Sequence, residues 1–518
     1  MNVGRLVTKA VKKYGNKTAI VFDGKSYSYL QIYGRVNRLA NVLLKLGVKK
    51  GDRVAFLGLN SSQYIEGDFA MAKCGMIRVP LRARPTPGEL LHIMDNSQAN
   101  TLILEDRYYN DIATIKKDLR YVKHYITLSG NFPGMINYED LLVQAPSDEP
   151  NIDVTDDDVF ALIYTTGTTG KPKGAMQTHK NQLWVIRSIQ LEVCRFSEED
   201  VLLSCLPLMH APLILIIASF INGAKHVILP GFNSKAVLET IQNEKVTTAF
   251  MVPTVIYMLL EYPELKNYDL SSVKTILYGG SPMVPERLME AMKIFGNVFV
   301  QAYGLAEAFM PITLLTKEEH HYALSTQKLK ILGSAGREST YEEVKIVNEA
   351  GNVAGLHEPG EIVIRGDNVM KGYWNNPEAT SEAIKDGWFY TGDIGLVDEE
   401  DFVYIVDRKH EMIITERLNV YPKEVEELLY KHPAVFEAVV IGVPHDKWGE
   451  SIKAVVALKE GHSVSESELI EYCKGKMADY KIPKSVDFVP SLPKGGSEKI
   501  LRKEVKDRYW KGYTRKVH

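Results

Sequence analysis

Ile163-Tyr164-Thr165-Thr166-Gly167-Thr168-Thr169-Gly170-Lys171-Pro172-Lys173-Gly174 is the stretch around which this chain is organised. It follows Val159-Phe160-Ala161-Leu162-Ile163, an apolar and β-branched run that predicts a buried strand. Six residues of the stretch are Gly, Pro or Lys and four are Thr, a composition that no packed core needs. Glycines let the backbone turn so that several N–H groups point inward. Threonine hydroxyls add donors and lysines add charge, so the segment suits a polyphosphate. It is not a Walker loop, because Pro172 stands where that motif places Ser or Thr to open a helix and hold magnesium. The plain alternative is a flexible surface turn, which fits poorly with a Gly/Thr/Lys run straight after a buried strand.

A chain of 518 residues is too long for one hydrophobic core, so two or more domains are expected. Hydrophobic residues make up 45% and charged ones 25%, the mix of a soluble globular protein. The net charge of 62 − 65 = −3 gives no global reason to expect nucleic acid or an anionic membrane as partner. Cys74, Cys194, Cys205 and Cys473 are scattered, without CxxC or metal spacing, and read as thiols of a reducing compartment. The opening Met1-Asn2-Val3-Gly4-Arg5 leads into an amphipathic, Lys-bearing segment and not into a leader. The longest apolar run, Ala211 to Ala218, is far short of a membrane span, so a cytoplasmic enzyme is expected.

Outward from the Thr/Gly stretch, strands and helices alternate. Ser28 with Gln31 forms a capping box, Ile32, Val36, Leu39, Leu43 and Leu46 keep one face apolar, and Gly47 ends the helix. A strand at Val54–Leu59, a helix at Ser62–Lys73 and a strand at Met76–Pro80 follow, the rhythm of a parallel, doubly wound sheet. Beyond the stretch, strands are predicted at Val201–Leu206, Val227–Leu229, Thr248–Val252, Val273–Tyr278 and Val298–Val300. Two of these end in Gly279-Gly280-Ser281-Pro282 and Gln301-Ala302-Tyr303-Gly304, small or aromatic residues suited to a flat ligand at the strands' carboxyl ends. After about residue 330, short alternating strands read as a β subdomain, of which a small barrel is one form. Around Asp407-Arg408 a compact α+β unit begins, giving expected domains of 1–406 and 407–518.

With these residues in hand, the chain resembles the adenylate-forming superfamily of acyl-CoA synthetases, peptide-synthetase adenylation domains and firefly luciferase. The likeness covers essentially the whole length. It rests on Tyr164 to Gly174; Tyr303-Gly304-Leu305-Ala306-Glu307; Tyr390-Thr391-Gly392-Asp393; Asp407-Arg408 running into Asn419-Val420-Tyr421-Pro422; and Lys499 within Pro493 to Ile500. The pattern looks most like stand-alone acyl-CoA synthetases for fatty or aromatic acids.

The resemblance implies a large α/β domain of mostly parallel sheets plus a β subdomain, with a small mobile C-terminal domain. It implies ATP, Mg²⁺ and coenzyme A. By resemblance Thr165, Thr166, Gly167, Thr168, Thr169 and Lys173 wrap the β- and γ-phosphates, and Glu307 with Thr165 binds Mg²⁺, a hard cation that prefers oxygen ligands. Tyr303 stacks on adenine in a slot lined by Gly280, Ser281, Pro282, Gln301 and Ala302. Asp393 accepts from the ribose hydroxyls with Arg408 beside it, Asp407 is the hinge, and Lys499 bridges the acid carboxylate and the α-phosphate. His210, Gly279 and Gly304 fall at the acyl pocket, although a His at that place is as readily structural.

Three positions depart from the family pattern. Ala306 replaces a Thr that donates to the α-phosphate, as it does in fatty acyl-AMP ligases that serve a carrier protein. Thr415-Glu416-Arg417-Leu418 replaces a glycine-containing hairpin beside the pantetheine tunnel; the bulky charges either narrow it or let Arg417 meet a CoA phosphate. Glu498 replaces the glycine before Lys499. The expected activity is an AMP-forming acid–CoA ligase, with an acyl-AMP ligase loading an acyl carrier protein as the alternative. A nucleotide-binding protein without catalysis is disfavoured by Glu307, Asp393, Arg408 and Lys499.

Overall fold

A computed structural model describes residues 1–83, 85–165, 171–209, 212–409, 411–415, 418–445, 449–495, 498, 500–511 and 513. Two large twisted sheets carry the first three hundred or so residues. The nine-stranded one has six adjacent parallel strands, Phe299–Tyr303, Thr275–Gly279, Thr248–Met251, Val201–Ser204, Lys225–Ile228 and Thr18–Phe22, flanked by antiparallel edges. The seven-stranded one runs parallel from Ile136–Asn137 to Val159–Thr165 and ends on the antiparallel strand Lys173–Thr178. The strand–helix alternation is the cause, because parallel neighbours need a crossover and a helix supplies it.

Helices Val3–Tyr14, Tyr29–Lys45 and Ser62–Cys74 pack on one another, and one continuous apolar core reaches from them into strands of both sheets. The Ser28–Gln31 capping box forms as the sequence predicts, with Ile32, Val36, Leu39 and Leu43 buried and Gly47 in the left-handed region just past the helix end. The apolar run after Ala211 becomes helix Pro212–Phe220, whose Leu213, Leu215, Ile216 and Ile217 are buried. Each such side chain contributes roughly 1.5–3 kcal/mol of burial. Among the described residues no helix is long and apolar enough to cross a membrane.

Strands Glu343–Val347, Gly360–Arg365, Ile384–Lys385, Trp388–Val397 and Val403–Arg408 form an open antiparallel sheet. The C-terminal unit has a separate core built by helices Pro422–Tyr430 and Glu466–Cys473 on strands Val435–His445, Gly449–Leu458 and Ser485–Phe488. All four cysteines are free thiols, and Cys74, Cys205 and Cys473 are buried.

Candidate active site

Thr165 and Lys173 face each other at the last pair of a hairpin formed by strands Val159–Thr165 and Lys173–Thr178. Residues 166–170, and with them Thr166, Gly167, Thr168 and Thr169, lie outside the described residues, but their two ends are fixed here. The return strand is not predicted by Lys-Gly-Ala-Met-Gln-Thr, which has little β preference. It forms because its backbone has partners on both sides. The Met176 N–H donates to the Gly372 carbonyl at 2.9 Å and the Trp374 N–H to the Gly174 carbonyl at 2.8 Å; tertiary pairing overrides propensity.

That pairing brings Tyr373 over the base of the hairpin. The Thr165 hydroxyl and the Tyr373 hydroxyl each donate to Oε1 of Glu307 at 3.0 Å. Glu307 is only 9% exposed, and its Oε2 takes no hydrogen bond among the described residues. Lys173 Nζ lies 5.2 Å from the Tyr373 ring centre. One carboxylate oxygen is therefore held by two hydroxyls while the other stays open, the donor type a hard cation takes. Burial, and then the Glu307 charge, push the Tyr373 hydroxyl's pKa up, so it stays a donor.

Four residues earlier in the chain, Tyr303 ends its strand at a second cluster. Its hydroxyl donates to Asp393 Oδ2 at 2.6 Å, and Arg408 Nε lies 3.1 Å from Asp393 Oδ1. Asp393 and Arg408 are direct cross-strand partners, and the Asp393 N–H donates to the Thr391 hydroxyl at 3.1 Å. Asp393 is 4% exposed, whereas the Arg408 side chain is 44% exposed and reaches toward solvent. Burial and the neighbouring Asp393 charge keep the Tyr303 hydroxyl protonated. Beside Tyr303, Gln301 is buried with its Oε1 unpartnered among the described residues, a group that a ligand's N–H would satisfy. The two clusters thus share one turn, Tyr303 to Glu307, and the hairpin, this turn and the Asp393–Arg408 pair face one another.

Around this turn the structure gives some residues packing reasons. A side chain on Gly279 would sit 2.3 Å from the Ala302 carbonyl, and one on Gly304 would sit 2.4 Å from the Met310 nitrogen. Both positions are therefore fixed by backbone approach. Gly280 has φ +80 and turns the chain toward Ser281 and Pro282. The Ala306 carbonyl accepts from Gln177 Nε2 at 2.7 Å, which ties the turn to the hairpin's return strand.

Asp407 sits where the β subdomain meets the C-terminal unit. Its Oδ1 accepts the Arg408 N–H at 2.7 Å and its Oδ2 the Lys423 N–H at 3.0 Å, so it caps helix Pro422–Tyr430. Burial raises its pKa and the Arg502 charge opposes that. Lys499, His210, Glu416 and Arg417 lie outside the described residues. Their flanks are placed: Thr415 pairs with Leu418 across a hairpin, and the Leu208 N–H donates to Asn60 Oδ1 at 2.9 Å. Glu498, just before Lys499, accepts at its carbonyl from the Thr254 hydroxyl at 3.0 Å. Sequence reasoning missed Tyr373, Asn60 and Thr254, because none belongs to a periodic pattern or a chemical motif of its own.

Fold and site together define an enzyme of the adenylate-forming class. Residues 7–374 match the model of the AMP-binding enzyme family and residues 424–499 that of the AMP-binding enzyme C-terminal domain, so the chain belongs to the AMP-binding enzyme family. It is 38% identical over 494 residues to a feruloyl-CoA synthase of Amycolatopsis sp, covering 95% of this chain and 96% of the relative. It is 32% identical over 529 residues to a medium/long-chain-fatty-acid–CoA ligase of Mycobacterium tuberculosis, covering 99% and 91%. The fold is also that of the o-succinylbenzoate CoA synthetase of Bacillus subtilis in complex with its acyl-adenylate intermediate. There the TM-score is 0.84 at 32% identity, over 97% of this chain and 98% of that one.

Proposed function

We propose that this chain is an AMP-forming acid–CoA ligase. A carboxylate attacks the α-phosphorus of ATP, giving an acyl-adenylate and pyrophosphate, and the CoA thiol then attacks the acyl carbon and displaces AMP. The single observation that carries the reading is the pairing of the two clusters on one turn. An open Glu307 oxygen lies at the foot of the Thr/Gly hairpin, and four residues earlier Tyr303 meets buried Asp393, which pairs with the half-exposed Arg408. One cluster offers an acceptor for a phosphate-bound cation, and the other offers a ring and a carboxylate for a nucleoside.

In this reading the hairpin tip and Lys173 hold the β- and γ-phosphates, and Thr165 steadies Glu307. Glu307, with its second oxygen open, would hold Mg²⁺, which would neutralise phosphate charge. Tyr303 presents its ring face to the base, with Gly280, Ser281, Pro282 and Ala302 around it and Gln301 Oε1 as an acceptor. Asp393, fixed at both oxygens, accepts from the ribose, and Arg408 balances its charge. Lys499 has the role of bridging carboxylate and α-phosphate, where charge develops. The unit from Asp407 turns between the two half-reactions, so one cleft serves ATP chemistry and thiol attack in sequence. Four free thiols fit a reducing, cytoplasmic setting.

The curated relatives act on feruloyl and fatty acyl groups, so aromatic and medium-chain aliphatic acids are the class to try first. The test is pyrophosphate release with ferulate, a medium-chain fatty acid and other carboxylates, with and without CoA. Pyrophosphate together with acyl-CoA is the expected result. Acyl-adenylate trapped by hydroxylamine without any acyl-CoA would point to a carrier protein as acceptor. Lys499→Ala is expected to abolish release while leaving ATP affinity within a few-fold.

A further inference from the structure

Helix Pro253–Leu260 begins where strand Thr248–Met251 ends, and Val252 packs against the Gly280 turn of the nucleotide slot. Thr254 is at the second position of this helix, yet its hydroxyl does not serve the helix. It donates to the Glu498 carbonyl at 3.0 Å, across 244 residues of sequence. The acceptor's own geometry is unusual. Glu498 has φ +59, a left-handed conformation that side-chain-bearing residues rarely adopt. The turn is closed by the Glu498 N–H on the Gly495 carbonyl at 2.9 Å and the Leu501 N–H on the Pro493 carbonyl at 2.8 Å, with Lys494 bridged to Ile500. Lys494 Nζ is 2.6 Å from Glu437 Oε1, which anchors the turn's base to strand Val435–His445.

Near this bond, helices Pro253–Leu260 and Pro285–Phe295 also face helix Pro422–Tyr430 and strand Val435–His445 of the C-terminal unit. Lys431 and Glu286 meet at 3.2 Å with both side chains about half exposed, and a small void remains between Tyr257 and Arg287 on one side and Tyr430, Val435 and Phe436 on the other. Beside these contacts, the Thr254 hydroxyl supplies a directed hydrogen bond to the turn itself.

We propose that Thr254 is a positioning residue: its bond to the Glu498 carbonyl latches the turn leading into Lys499 against the nucleotide side of the cleft during acid activation, and is released when the C-terminal unit turns for thiol attack. The proposal rests on Lys499 being the activating lysine. It accounts for a Glu where the family has glycine: the latch holds a left-handed turn that the side chain alone would disfavour.

The test uses the full chain and the variants Thr254→Val, which keeps the shape, and Thr254→Ser, which restores the hydroxyl. Single-turnover pyrophosphate release is measured with saturating ATP and Mg²⁺ and with ferulate or decanoate, whichever the wild type uses faster. The second half-reaction is measured separately, by adding CoA to preformed acyl-adenylate. Thr254→Val is expected to slow pyrophosphate release at least 5-fold and leave thioester formation within 2-fold, with Thr254→Ser within 2-fold of wild type in both. Hydrogen exchange at the Glu498 and Leu501 amides is expected to quicken at least 5-fold in Thr254→Val alone. Equal slowing of both half-reactions, or unchanged exchange at those amides, overturns the latch. A Lys499→Ala chain that releases pyrophosphate at the wild-type rate overturns the role of Lys499, and the exchange comparison still decides whether the bond holds the turn.

Discussion

Replacing Glu307 by Gln separates its charge from its shape. The amide oxygen of Gln can take the place of Oε1 and still accept from Thr165 and Tyr373, each at 3.0 Å in the native site. Two hydrogen bonds to a charged acceptor become two neutral ones, a loss of about 1 kcal/mol each. Against this, a nearly buried carboxylate no longer has to be desolvated, so the fold should change in stability by no more than about 1 kcal/mol. The open position behaves differently. A unit charge facing a divalent cation about 4 Å away at an effective dielectric of about 20 gains roughly 8 kcal/mol, before competition from water. A surviving fraction of about 2–4 kcal/mol corresponds to a roughly 30- to 1,000-fold rise in the Mg²⁺ concentration needed for half-maximal rate. The assay is pyrophosphate release at saturating ATP over a series of free Mg²⁺ concentrations, with the melting temperature measured alongside. A variant with an unchanged melting temperature and a Mg²⁺ midpoint within 2-fold of wild type would refute the assignment of the open oxygen.

Tyr303→Phe keeps the ring face and removes only the 2.6 Å bond to Asp393. A hydrogen bond to a charged group contributes about 1.5–3 kcal/mol, so ATP affinity should fall about 10-fold or more by calorimetry, with the acid's KM unchanged. Glu342 is 3% exposed, neither of its oxygens has a hydrogen-bond partner among the described residues, and burial together with Asp367, Glu192 and Glu338 pushes its pKa up to about 9. The folded state therefore favours the protonated form. Stability from this group is full below the ordinary carboxylate pKa and drains away as pH rises toward 9, by a ceiling of about 1.4 kcal/mol per pH unit. Thermal unfolding should find Glu342→Gln close to wild type at pH 5 and distinctly more stable than wild type at pH 8; equal differences at both would contradict it. Gly336→Ala should cost more than about 3 kcal/mol in denaturant unfolding, because φ is +82 and the new methyl would sit 1.8 Å from the Leu314 carbonyl.

What the sequence made legible follows from where the information lies. Tyr303, Glu307, Asp393 and Arg408 sit in short segments that carry the family resemblance, and the fold gathers them into two clusters joined by the Tyr303–Glu307 turn. The capping box at Ser28 and the apolar stripe of its helix depend on neighbours three and four residues apart, so they too could be read directly. The return strand Lys173–Thr178 could not, because its pairing with residues 372–374 is two hundred residues away. Tyr373 is invisible for the same reason, since its value lies in which carboxylate it reaches. Asn60 bonds the Leu206 and Leu229 carbonyls at 2.9 and 3.0 Å and so joins the two sheets beside the loop leading to His210, yet Asn60-Ser61 reads locally as no more than a helix cap. Arg78 and Asp68, an ion pair at 2.7 Å with both side chains almost fully buried, stand in segments that read as ordinary strand and helix.

The account stands on an acid striking the innermost phosphorus of ATP, and oxygen tracing tests that step most directly. The carboxylic acid is labelled with ¹⁸O at both oxygens and turned over with ATP, Mg²⁺ and CoA, and the products are weighed by mass spectrometry. The account predicts AMP carrying one ¹⁸O, with unlabelled pyrophosphate. Label found in inorganic phosphate, with ADP as the nucleotide product, or AMP without label, would contradict it.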